Sequence, residues 1–164
     1  APLELYRAPE KLIYRFINRQ LVFAYDDRQR LTLNSCNVVI PHIPGLDMRY
    51  IMAILNSRVA QYIYEKRYNA VKVLRSHIEN IPVPVADEET QRRIISKAEE
   101  LMAEELITES SVNSEMQTYK TGKDHLQRYR LYEEIDDIVR KLYSVTDEEY
   151  EFIKQSLSGD KYML

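Results

Sequence analysis

Glycine is scarce in this sequence. There are three in 164 residues, Gly45, Gly122 and Gly159, too far apart to assemble a phosphate-cradling loop or a dinucleotide fingerprint. Tryptophan is absent. The single Cys36 cannot close a disulfide within the chain; at the start of a β-branched run it reads as a small core residue, compatible with a reducing compartment. His42, His77 and His125 are too widely spaced to be metal ligands. Long apolar runs are also missing: 38–41 and 71–74 fall far short of the ~20 residues that cross a bilayer, and residues 1–10 lack the layout of a secretory signal. The expectation is a cytoplasmic protein without membrane contact, with no cofactor and no metal in this stretch of chain.

What is present is ordinary for a folded protein, 45% hydrophobic and 30% charged residues, and a chain of this length buries roughly 70% of its unfolded surface. The net charge of −3 hides a division. Residues 1–85 carry 12 Lys and Arg against 7 Asp and Glu, net +5; residues 86–164 carry 11 against 19, net −8. A basic half joined to an acidic half fits one part facing a polyanion and the other facing solvent or protein.

Side-chain alternation predicts a strand over 11–18, the β-rich run 21–25 a second, and the β-branched run 37–41 a third. In the first, Leu12, Tyr14 and Phe16 share one face and Ile13, Arg15 and Ile17 the other. Pro44 and Gly45 break the pattern, and Asp47 is a candidate N-cap for a helix over 47–66, with Ile51, Ile54, Leu55, Val59, Tyr62 and Ile63 on its apolar stripe. Residues 68–79 read as a strand or an ordered loop, and 81–85 (IPVPV) as a stiff, extended margin between parts. Beyond it, 87–107 is predicted helical and 110–122 a loop. Leu131, Ile135, Ile138 and Leu142 mark another helix, and Thr146 to Glu149 has the form of a capping box opening a last helix to about Leu157. The predicted fold is α/β (α+β): a small mixed or antiparallel sheet with packed helices in 1–85, then a helical part in 86–164.

Catalytic patterns are missing. Asp26 and Asp27 could share a cation, but adjacent acids at a strand end suit turn chemistry better, and Cys36 has no neighbouring base. The constellation that remains is cationic and polar: Arg28, Arg30, Asn34 and Ser35, then Lys66, Arg67, Tyr68, Asn69, Lys72 and Arg75. Arginine and asparagine can read guanine and adenine edges, while lysine and serine suit phosphates. The same residues also fit a solvated helix end followed by an exposed strand, and composition does not separate the two readings. Asn56 and Ser57, inside the predicted helix, are expected to bond neighbouring elements and not DNA.

Five stretches carry a resemblance: 11–18 (KLIYRFIN); 21–27 (LVFAYDD) with 32–35 (TLNS); 50–57 (YIMAILNS); 81–84 (IPVP) with Gln91 leading into a helix; and 135–143 (IDDIVRKLY) followed by 146–149. They resemble the TaqI-like C-terminal specificity domain of type IIG restriction–modification enzymes and adenine-N6 DNA methyltransferases, and are similar to specificity subunits of type I restriction systems. Ser144 departs from that pattern, which usually has glycine there. The resemblance implies a target recognition domain for double-stranded DNA, without catalysis of its own. It would position the catalytic domain of the same parent chain, an S-adenosylmethionine-dependent adenine methyltransferase with or without a Mg2+-dependent nuclease. The alternative reading is an assembly module that uses the acidic helices.

Overall fold

The computed structural model describes residues 2–32, 35–68, 70–110 and 117–159, with backbone alone for 104–110 and 117–124. In chain order the elements are α1 (Leu3–Tyr6), β1 (Lys11–Arg15), β2 (Phe23–Asp26), β3 (Cys36–Val39), α2 (Met48–Leu55), α3 (Arg58–Tyr68), α4 (Arg75–Glu79), α5 (Glu88–Ser110), α6 (Gln117–Leu142) and α7 (Asp147–Ser156). The strands form one sheet in the order β2-β1-β3 with both pairings antiparallel. Alternation places Leu12 and Tyr14 in the core, leaves Ile13 half-buried and exposes Arg15.

α2 follows a turn in which the Leu46 N–H donates to the Ile43 carbonyl and Gly45 takes φ +79°, a conformation that suits glycine after proline. The Asp47 carboxylate then caps the Arg49 N–H at 2.8 Å. Tyr50, Ile51, Ile54 and Leu55 are all but inaccessible, each worth about 1.5–3 kcal/mol of burial. The single helix expected over 47–66 is two helices. Asn56 breaks it, because its amide leaves the helix axis to accept from Phe23 N–H at 2.9 Å and to donate to Phe23 C=O at 2.8 Å. Ser57 then caps α3, accepting from Ala60 N–H at 3.1 Å. On the next turn Gln61 repeats the device, accepting from Leu21 N–H at 2.7 Å and donating to Arg19 C=O at 3.0 Å. Two amides thus tie the segment leading into β2 to the helices below it.

The 81–85 segment is extended, and tyrosine hydroxyls hold it from both sides: Tyr50 donates to Pro84 C=O at 2.7 Å and Tyr143 to Pro82 C=O at 2.5 Å. Gln91, the one glutamine of α5, donates to Ala86 C=O at 2.9 Å and Gly45 C=O at 3.4 Å. One hydrophobic core runs from Leu12 and Phe23 through α2 to Ile94, Ala98, Leu131, Ile135 and Val139. Two expectations are corrected. Residues 75–79 are helical, a single turn whose entry is closed by Leu74 N–H donating to His77 Nδ1 at 3.3 Å. Of the loop expected over 110–122, Ser110 closes α5 and 117–122 open α6; residues 111–116 lie outside the described part. Ser110 and 117–122, rich in Ser, Thr and Gly and without an apolar stripe, carry neither helix propensity nor a periodic signal.

α6 ends in a Schellman turn, with Ser144 N–H donating to Lys141 C=O and Val145 N–H to Arg140 C=O, both at 3.0 Å. Ser144 occupies the left-handed position at φ +57°, where a Cβ costs about 1 kcal/mol. Ser144→Gly is therefore expected to raise the unfolding free energy by about 0.5–1 kcal/mol, seen as a higher urea midpoint at unchanged slope. The expected capping box opens α7: Glu149 N–H donates to Thr146 Oγ1 at 3.2 Å, and Thr146 N–H to Glu149 Oε2 at 2.8 Å.

Candidate nucleic-acid interface

Where β1 ends, its chain is gripped from two directions. Phe16 N–H donates to Ser35 C=O at 3.2 Å, and Phe16 C=O accepts from Val73 N–H at 2.8 Å. Asn18 N–H donates to Val71 C=O at 2.9 Å, which makes Ile17 and Lys72 an antiparallel pair whose side chains stand on one face. The 70–72 segment is tied in turn to α3. The buried Tyr64 hydroxyl donates to Ala70 C=O at 3.1 Å and Lys72 C=O at 3.4 Å, and burial pushes its pKa up, so it remains a donor. Ser35, Lys72 and the last turn of α3 are thereby collected around the end of β1.

That last turn carries Lys66, Arg67 and Tyr68. The Tyr68 ring stacks on His77 at 4.1 Å between centroids and lies 5.8 Å from Tyr64. Arg67 donates to Asn80 C=O at 2.8 Å, and Arg75 pairs with Glu79 at 2.6 Å. Lys66 and Lys72 are exposed and form no ion pair with any described residue. The Lys66 ammonium lies 5.3 Å from the Tyr62 ring, and that of Lys72 lies 5.9 Å from Phe16. Unpaired cations beside ordered aromatic rings can neutralise phosphates and stack on or flank bases.

Arg28 and Arg30 lie elsewhere. β2 ends opposite Lys11, where β1 begins, whereas β3 starts opposite Arg15, where it ends. The connector between them therefore runs the length of β1, and its two arginines belong to the start of that path. Asp26 organises it, accepting from Arg28 N–H at 3.2 Å and Arg30 N–H at 2.9 Å, the turn chemistry expected of this acid. The same carboxylate also pairs with Lys11, and both side chains are buried. Burial alone would raise the Asp26 carboxyl; the Lys11 ammonium and the two N–H groups outweigh it and hold the carboxyl below the ordinary range. Arg28 and Arg30 line a cavity of about 490 Å³ along the β2 edge, with Arg49, Met52, Met102 and Tyr132. Asn34 and Asn69 lie outside the described residues.

Arg15 and Arg19 are exposed cations that flank the Ile17–Lys72 pair in the chain and form no ion pair with any described residue. Neither belongs to a run of charge, Arg15 standing between Tyr14 and Phe16 and Arg19 between Asn18 and Gln20; the placing of Arg15 on the outer face by alternation was the available signal. Among the described residues no group of three acids, histidines or cysteines could hold a metal ion, and no helix is long and apolar enough to cross a membrane. Residues 1–83, just over half the chain, match the family model of the TaqI-like C-terminal specificity domain. No curated protein matches the sequence. The matched stretch contains the whole sheet, α2 to α4 and every candidate contact named above.

Proposed function

The chain belongs to the TaqI-like C-terminal specificity domain family, and from that premise we propose that it reads a specific sequence in double-stranded DNA through the basic end of its sheet. A specificity domain is not itself catalytic and serves DNA recognition in restriction–modification enzymes. The parent chain is an S-adenosylmethionine-dependent adenine-N6 methyltransferase, with or without a Mg2+-dependent nuclease, acting in the cytoplasm. Its catalytic domain is positioned on the target by this one.

The observation that carries the reading is the gathering of exposed cations, free of ion pairs with described residues, around one ordered stretch of main chain. Arg15, Arg19, Lys66 and Lys72 supply phosphate contacts that fix the register on the duplex, and Ser35, Arg67 and Tyr68 contact base edges. Arg28 and Arg30 form a second, smaller set along the β2 edge. With four phosphates neutralised, log affinity for duplex DNA is expected to fall against log salt with a slope of about −3 to −4, read by fluorescence anisotropy. A slope near zero would instead favour the assembly module.

A further inference from the structure

Arg58 opens α3, yet its guanidinium is only 3% exposed. It is enclosed by Asp136 of α6 and Tyr150 of α7, both buried. Nη1 lies 3.0 Å from the Tyr150 hydroxyl and 3.4 Å from Asp136 Oδ2, and Nη2 pairs with Glu133 at 2.6 Å. The Tyr150 hydroxyl donates to Asp136; burial and the adjacent carboxylate push its pKa far up, so it keeps its proton. Asp136 Oδ1 accepts the Arg58 main-chain N–H at 2.9 Å, so a carboxylate 78 residues away caps the first turn of α3.

Such a cluster contributes little net stability, because desolvating its charges offsets their attraction and apolar side chains of similar volume often serve as well. What it does impose is geometry, since few arrangements satisfy every donor and acceptor at once. The element it fixes is α3, whose other end, about 15 Å along the axis, bears Lys66, Arg67 and Tyr68. A tilt of about 10° at the capped end would move that turn by roughly 3 Å, the length of a hydrogen bond. Flexible phosphate contacts survive such a shift; contacts to base edges do not.

We infer that Asp136, acting through Arg58, is a positioning residue for sequence reading: it sets the direction of α3, and so makes the helical part beyond the family match a working part of base discrimination. The inference rests on the DNA-recognition reading above. It is tested in the full chain with Arg58→Met/Asp136→Leu/Tyr150→Phe, which keeps the volume and removes the network. Affinity for the duplex selected by the unsubstituted chain is compared with that for a scrambled duplex, and urea unfolding is followed in parallel. The expected result is a folded variant whose selected-to-scrambled ratio drops about tenfold or more, while scrambled binding stays within about twofold of the parent. Should the triple variant not fold, Asp136→Asn, which still caps the Arg58 N–H but lacks the charge, is expected to lower the ratio in the same direction by a smaller factor. A folded variant with an unchanged ratio, or one whose two affinities fall together, overturns the inference. An unsubstituted chain with no sequence preference overturns the recognition reading first and takes this inference with it.

Discussion

Asp26→Asn is expected to lower the unfolding free energy by about 3–5 kcal/mol, the cost of leaving a buried charge without its partner. The Lys11 ammonium has no contact with water, and besides Asp26 it holds the Tyr6 carbonyl at 2.8 Å. Asparagine keeps the shape of the side chain, but at the position of Oδ2, which serves both Lys11 and the Arg30 N–H, it offers a donor or only a neutral acceptor. Urea denaturation should show the loss as a lower midpoint at similar slope. Replacing both partners, Lys11→Met with Asp26→Leu, should recover much of it. The pair also gives stability a pH dependence of definite sign. The folded Asp26 carboxyl titrates below its ordinary range, so the contribution is complete above the unfolded carboxyl's pKa of about 4 and fades as pH falls from there through the lower folded value. The urea midpoint of the parent should therefore drop below about pH 4, and the doubly apolar variant should lack that share of the drop.

The second large effect is on binding. Lys66→Glu combined with Lys72→Glu is expected to weaken duplex affinity by about a hundredfold at ~0.1 M salt and to reduce the salt slope by about 2, one for each phosphate no longer neutralised. Both side chains are exposed and make no ion pair with a described residue, so the unfolding free energy should stay within ~0.5 kcal/mol of the parent. Affinity and stability thus separate at these positions, whereas at Asp26 the loss is in stability first.

Local pattern carried most of the fold. Alternation and β-rich runs located the three strands, apolar spacing located α5 and the second half of α6, which bury one face against the core, and the capping box located α7. The split at Asn56 and Ser57 was not legible: the amide that ends α2 serves Phe23, 33 residues earlier, and such a partner leaves no mark on helical periodicity. Their structural role, however, was. Asp26 was readable as a turn residue but not as half of a buried ion pair, since Lys11 stands at a strand start where lysine is usually solvated. For the interface, the cluster near the end of α3 stood out by its charge density. Arg15 and Arg19 did not, since only the pairing of Ile17 with Lys72 brings their segment to that surface. Arg28 and Arg30 were grouped with the cluster by residue type, and a connector running the length of β1 sets them apart from it. The hold of Asp136 on α3 was the least visible feature, a long-range contact between two charged residues that each fit an exposed helix face.

Whether this chain reads DNA sequence is decided by selecting bound duplexes from a randomised library at low salt. One short motif is expected to be enriched, with binding to it weakened by salt and by charge reversal at Lys66 and Lys72. A bound pool with no enriched sequence, held with an affinity that salt does not change, would contradict sequence reading by this chain.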